Sequence, residues 1–384
     1  MNDSLISFVN SGIENLQPYE PGRSIEEVVV EYNPEKIVKL ASNENPLGPS
    51  PKAKKILESL NESLSLYPSS DATSLKTKIA KFESVKNNQI IIGNGSNEVL
   101  ELAARAFLNN TSSAVMSKHA FAVYKILTQA CGSKVIEVPM INWTHNLKQF
   151  NDYCEDKTRI IFVANPNNPT GTFNSHSDFR DMMLEIPQSI LVVLDLAYYE
   201  YVEAEDYIRT NELLDEFDNI LITKTFSKIQ GLASLRIGYG IGSKELCSVI
   251  NKIRQPFNVN QLAQLAAIEA IDDIDHIKQS RDLNSIERDR MMAALKSVGM
   301  ECIKSQGNFI SFKGDFNSEE MFLSLMKLGV IVRPIDNYEM LGYLRMTIGT
   351  PEENDYFFNH FKKSNMYRFI ETKIAFDFFY DFRV

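Results

Sequence analysis

The chain has 384 residues, 44% of them hydrophobic and 23% charged, and a formal net charge of −10. That length exceeds what one hydrophobic core usually serves, so two domains are expected, and the acidic balance argues against a nucleic-acid partner, whose phosphates call for a basic face. The first ten residues carry an acid and no base before a short apolar stretch, a poor secretory signal, and no apolar run approaches the ~20 residues that span a bilayer; a cytoplasmic protein without a membrane partner is expected.

Residues 1–45 contain prolines and little periodicity, and are expected to pack on the second domain or across a partner subunit. From Ile90 onward short β-rich runs alternate with helical patterns, the signature of a parallel sheet covered by helices. The strand candidates are Ile90 to Ile92, Ser113 to Met116, Val135 to Val138, Arg159 to Ala164, Ile190 to Asp195, Ile220 to Thr223 and Ile237 to Ile241. Several are apolar throughout, as strands buried on both faces are. Glu98 to Leu108, Phe121 to Ala130 and Asp178 to Glu185 carry apolar residues at helical spacing.

The loops after these strands hold the chemistry. Gly93-Asn94-Gly95-Ser96-Asn97-Glu98 joins a strand to a helix, where small residues expose backbone amides to an anion such as a phosphate, or where Ser96 or Asn97 simply caps the helix. Phe121 follows the next strand, placed either over a bound ring or in the core, and His119 beside it receives no role. Asn165-Pro166-Asn167-Asn168-Pro169-Thr170-Gly171 is a tight turn that leaves Asn168 at a strand mouth. Asp195 closes a buried strand, either as a cap or as a carboxylate aimed at a protonated ring nitrogen, with Tyr198 three residues on.

Thr225-Phe226-Ser227-Lys228, with Arg236 eight positions later, gathers an amine, hydroxyls and a guanidinium. An amine that forms a Schiff base must lie beside an aldehyde, and hydroxyls with an arginine suit a phosphate on the same molecule. Pyridoxal phosphate carries both groups.

Asn260 to Val298 reads as one long, mostly uninterrupted helical stretch leading into a smaller α+β unit, with strands at Phe309 to Phe312, Val330 to Arg333 and Tyr343 to Ile348 and a helix at Ser318 to Lys327. The expected division is an N-terminal arm with part of the small domain over 1–48, a large domain over 49–274, a small domain over 275–364, and an aromatic-rich tail over 365–384 to which no chemistry is assigned. Cys131, Cys154, Cys247 and Cys302 are scattered, without Cys-x-x-Cys or a histidine at metal-ligand spacing, so reduced thiols and no metal site are expected.

In this order and spacing the motifs resemble the fold type I pyridoxal-phosphate aminotransferases, and more narrowly the histidinol-phosphate aminotransferases. The narrower likeness draws on Leu16 to Gly22, Leu40 to Pro49, Tyr67-Pro68, Val332-Arg333 and Leu344 to Thr350. It implies an α/β fold with a large, mostly parallel sheet domain and a smaller α+β domain, and a homodimer using glutamate and 2-oxoglutarate. Lys228 would hold the cofactor and move the proton. Asp195 would meet the ring nitrogen, Asn168 and Tyr198 the ring oxygen, and Phe121 the ring face. Ser96, Asn97, Thr225, Ser227 and Arg236 would hold the phosphate, with Tyr67 reaching over from the other subunit. Arg345 would grip the carboxylate of glutamate, with Tyr19, Asn43 and Arg333 toward the phosphate or side chain of the other substrate. Leu196, Ser234 and Ile229-Gln230 depart from the family pattern. An aromatic or broad-specificity aminotransferase, a decarboxylase of a phosphorylated amino acid, and a cofactor-binding module without turnover are the alternatives.

Overall fold

The computed structural model describes residues 9–364 except Ser11, Asn15, Glu20 and residues 60–64; the aromatic tail at 365–384 lies outside the described residues. Two units divide the chain. The larger holds the described part of 1–20 with Leu47–Arg281 and Ser305–Gly307, and the smaller holds Pro21–Pro46, Asp282–Lys304 and the chain from Asn308 on.

These limits differ from the expected ones. Residues 21–46 separate from the start of the chain because Val38 and Lys39 pair in parallel with Val330 and Ile331. Ser305–Gly307 returns to the larger unit, where the Gln306 amide donates to the Gly171 carbonyl at 2.8 Å.

In chain order the strands are β1 (Val38–Lys39), β2 (Ile90–Gly93), β3 (Ser113–Ser117), β4 (Lys134–Val138), β5 (Thr158–Ala164), β6 (Leu191–Asp195), β7 (Ile220–Thr225), β8 (Gly238–Gly242), β9 (Glu301–Cys302), β10 (Phe309–Lys313), β11 (Val330–Ile331), β12 (Arg333–Pro334) and β13 (Tyr343–Thr347). The first five helices are α1 (Ile25–Tyr32), α2 (Pro51–Glu58), α3 (Thr73–Glu83), α4 (Ser96–Phe107) and α5 (Ala122–Ala130).

The sheet of the larger unit has the order β2-β8-β7-β6-β5-β3-β4. Strands β3 to β7 pair in parallel, whereas β8 runs antiparallel to both β2 and β7. The chain winds outward from β3 to β4, then returns past β3 to β5 and continues the other way. The order therefore reverses between β3 and β5, and in such sheets ligands settle at the carboxyl ends of the strands flanking the reversal.

Side chains alternate along each strand. Leu191, Val193 and Leu221 lie in one apolar cluster with Val99 and Leu100 of α4 and Tyr124 of α5, so Asp195, Thr223 and Thr225 share that face. Val192, Leu194 and Ile222 fill the opposite face. Helix α4 lies directly on β8: a Cβ added at Gly240 would come within 2.7 Å of Val99, and one at Gly238 within 2.4 Å of the Ser96 nitrogen.

The long helical stretch is broken. Helices span Gln261–Ala270 and Ile274–Ser297, and the residues between are drawn toward the start of α2. Asp273 accepts from the Ser50 hydroxyl at 2.6 Å and the Lys52 amide at 3.2 Å, while Lys52 Nζ donates to the Asp272 carbonyl at 2.9 Å.

In the smaller unit, β12-β13-β10-β9 form an antiparallel sheet and β1-β11 a separate parallel pair. The expected strand Val330 to Arg333 is split at Val332 because β11 and β12 join different sheets. Phe312, Met321, Leu344, Met346, Phe357 and Phe361 pack in this unit's core.

Candidate active site

Asp195 ends β6 beside β7, in register with Thr223. Its side chain is buried, and Oδ2 accepts from the Tyr124 hydroxyl at 2.8 Å. Oδ1 is also buried and has no hydrogen-bond partner. Burial raises the carboxyl's pKa above its ordinary value; Tyr124, Thr223, the Ala197 amide and the charge of Lys228 oppose that rise. The Thr223 and Ala197 groups lie near the carboxylate without completing a well-formed bond to Oδ1. An orphaned carboxylate oxygen in a dry site is costly unless a proton donor arrives, so this atom fits the N–H of a protonated pyridine ring.

Lys228 follows β7 and is half-buried, its Nζ 5.7 Å from the centre of the Tyr198 ring. The turn that carries it is tied back on itself: the Gly231 amide donates to the Lys228 carbonyl and the Leu232 amide to the Phe226 carbonyl, both at 3.0 Å. Asn168 and Tyr198 leave the carboxyl ends of adjacent strands β5 and β6, so both expected ring-oxygen ligands are carried by neighbouring strands.

A cup for an anion forms where α4, β7 and β8 meet. Gly95 occupies the N-cap position of α4, at φ 83°, and supplies no side-chain cap. Ser96 and Asn97 are thus the first helical residues rather than caps, and their end of the helix remains available to an anion. The Ser227 amide donates to Thr225 Oγ1 at 3.1 Å. Arg236, in the left-handed region at φ 55°, reaches Ser227 Oγ at 3.4 Å and the Ala233 carbonyl at 2.9 Å. A Cβ on Gly95 would lie 2.6 Å from Arg236 Nη2. The missing side chain gives the guanidinium its place, and the group as a whole suits a phosphate.

Phe121 immediately precedes α5, and Tyr19 meets its ring edge-on at 6.4 Å. Tyr67 is 81% exposed and stacks on Phe257 at 4.6 Å.

Two further residues, neither marked by a motif, shape this site. Tyr124 stacks on Phe162 at 4.9 Å, meets Phe121 edge-on at 5.7 Å and holds Asp195; its place three residues beyond Phe121 was the available signal. His145 is buried, with Nδ1 2.7 Å from Ser117 Oγ and Nε2 2.7 Å from the Ala164 carbonyl. The carbonyl can only accept, so Nε2 carries the proton and Nδ1 accepts from the serine. It thereby clamps the ends of β3 and β5, the strands that lead to Phe121 and Asn168. Burial pushes its pKa down to about 4, so the ring is neutral.

In the smaller unit Arg333 and Arg345 are register partners on β12 and β13, both buried. Arg345 Nη2 donates to the Ala41 carbonyl at 2.7 Å, and its guanidinium lies 5.4 Å from the centre of the Phe309 ring. Asn43, at φ 54°, receives the Asn308 amide on its carbonyl at 3.1 Å and donates its own amide to Thr347 Oγ1 at 2.9 Å. Two arginines at facing positions of one sheet suit a carboxylate or phosphate. Among the described residues no cluster suited to a metal ion occurs, and no helix is long and apolar enough to cross a membrane.

Residues 35–361 match the family model described as aminotransferase class I and II. Among curated proteins, histidinol-phosphate aminotransferase 2 of Pseudomonas fluorescens is 42% identical over 359 residues, covering 93% of this chain and 97% of that protein. Histidinol-phosphate aminotransferase of Methylobacillus flagellatus is 44% identical, covering 91% and 95%. The fold is similar to a crystal structure of histidinol-phosphate aminotransferase from Sinorhizobium meliloti in complex with pyridoxal-5'-phosphate, with a TM-score of 0.85, 21% identity, and 93% and 97% of the two chains covered.

Proposed function

The chain belongs to the aminotransferase class I and II family, and on that footing we propose that it interconverts L-histidinol phosphate and 2-oxoglutarate with imidazole acetol phosphate and L-glutamate, in histidine biosynthesis, using pyridoxal 5'-phosphate. The observation that carries this reading is the buried, unpartnered Oδ1 of Asp195 beside the segment that bears Lys228.

Bound pyridoxal phosphate supplies an aldehyde that condenses with an amine and a protonated ring that takes up the electrons left when the substrate Cα–H bond breaks. Asp195 Oδ1 keeps that ring nitrogen protonated. Asn168 and Tyr198 hold the ring oxygen, Phe121 covers one face of the ring, and the backbone of Ser96 and Asn97 with Thr225, Ser227 and Arg236 holds the phosphate. Lys228 Nζ would hold the cofactor's aldehyde carbon and would take and return the Cα proton. A lysine acts as that base only in its neutral form.

Arg345 binds the carboxylate of glutamate, and Arg333, Asn43 and Tyr19 receive the phosphate or side chain of the other substrate. A second copy of the chain covers the exposed Tyr67–Phe257 stack, with Leu66 beside it, so that Tyr67 serves the neighbouring phosphate cup. The working compartment is the cytoplasm.

The test is a spectrum of the reconstituted protein before and after glutamate, followed by coupled assays with histidinol phosphate, phenylalanine and tyrosine as donors. A visible band that glutamate bleaches supports the chemistry. Histidinol phosphate as the poorest donor would defeat the substrate assignment while leaving the transamination.

A further inference from the structure

On the sheet face opposite Asp195, a charged cluster lies inside the larger unit. Lys224 Nζ donates to both oxygens of Glu83, at 2.9 and 3.1 Å, and these side chains are only 4% and 5% exposed. The Tyr239 hydroxyl donates to the same carboxylate, and Tyr239 lies opposite Lys224 in the β7–β8 register. Lys224 Nζ also stands 4.0 Å from the centre of the Tyr199 ring. Burial raises the pKa of Glu200, the next residue, and the charge of Lys224 and the nearby Gln230 side chain oppose that rise. Gln230 itself is buried, and its backbone carbonyl receives the Ser50 amide at 3.0 Å.

Each member belongs to a segment that also carries an active-site residue, apart from Glu83 at the end of α3. Lys224 lies between Thr223 and Thr225 and four residues before Lys228; Gln230 lies two after it. Tyr199 and Glu200 follow Tyr198, and Tyr239 lies three residues after Arg236. A buried ion pair is a poor source of stability, because well-packed apolar residues of similar volume do as well or better. What it gives is direction: two oxygens and one ammonium satisfy each other in one geometry, which fixes the backbones they stand on.

We propose that Glu83, Lys224, Tyr239, Glu200 and Gln230 are positioning residues that hold the turn bearing Lys228 and the segment bearing Tyr198 in place from beneath the sheet. The proposal rests on the assignment of pyridoxal phosphate to Lys228 made above.

The paired variant Glu83→Gln/Lys224→Met, made together with Glu200→Gln because Glu200 also faces Lys224, removes the cluster's charges without stranding any of them. In the cofactor-free protein, amide exchange over 226–232 and 198–202 should speed up at least about 10-fold with the melting temperature nearly kept. In the reconstituted protein, pyridoxal phosphate should bind about 10-fold more weakly, and kcat should fall more than KM. Lys224→Arg should retain wild-type exchange and binding. Wild-type exchange and cofactor affinity in the paired variant would overturn the proposal. If that variant does not fold, Gln230→Leu and Tyr239→Phe are read in the same way, and unchanged exchange in both overturns it. Exchange is measured without cofactor, so failure of wild-type protein to bind pyridoxal phosphate would count against the functional assignment separately.

Discussion

Acid should loosen this protein through His145, and the size of the effect follows from where the ring sits. The folded pKa is about 4 against an ordinary 6.5, because burial disfavours the cation more than the hydrogen bond to the Ala164 carbonyl favours it. A base with a depressed folded pKa is protonated first in the unfolded chain. Its contribution to stability is complete above pH 6.5 and is lost as pH falls toward 4. Each pKa unit is worth about 1.36 kcal/mol, so the gap amounts to about 3 kcal/mol. Urea unfolding can be followed by the fluorescence of Trp143, the chain's single tryptophan, two residues from the ring. Wild type and His145→Asn should differ in unfolding free energy at pH 7.5, and that difference should shrink by about 3 kcal/mol by pH 4. Since Ser117 and Ala164 lead to Phe121 and Asn168, cofactor retention in the wild type should weaken over the same interval. A difference that stays constant from pH 7.5 to 4 would refute the argument.

Lys228→Ala should lose the visible absorption and turnover while far-ultraviolet dichroism stays native; near-native turnover would remove Lys228 from its role. Arg345→Ala should lower kcat/KM for glutamate about 100-fold, the loss of roughly 3 kcal/mol from a charged, hydrogen-bonded anchor, with most of it in KM; unchanged steady-state kinetics would move the carboxylate site. Tyr124→Phe leaves Asp195 Oδ2 without its donor, at a cost of about 1–3 kcal/mol, and should weaken pyridoxal phosphate binding on titration, with equal affinity counting against the Asp195 contact. Gly95→Ala forces a Cβ against Arg236 Nη2 in a left-handed backbone, so inorganic phosphate should protect the variant from thermal unfolding less than it protects wild type.

Much of the larger unit was legible because its strands are buried on both faces and read as unbroken apolar runs. The reversal of β8 was not, since a strand's composition says nothing about its direction. Asp272-Asp273 contains no helix breaker, so the interruption there follows from distant partners in α2 that no local pattern reveals. The same limit hid Lys224: a lone charge in a strand reads as a solvated side chain until Glu83 arrives from 141 residues away. Lys228, Asp195 and Arg236 stood out because each sits at a chemically distinctive strand end. Tyr124 did not, because an aromatic residue within an amphipathic helix ordinarily serves the core.

The seat of α4 on β8 has a wider consequence. With bare backbone at Gly238 and Gly240 beneath it, the helix rests at a height fixed by atoms that cannot be trimmed further. The sheet becomes the datum from which the level of the anion cup is measured, and even one methyl group would act as a shim. These two positions therefore have almost no room to drift.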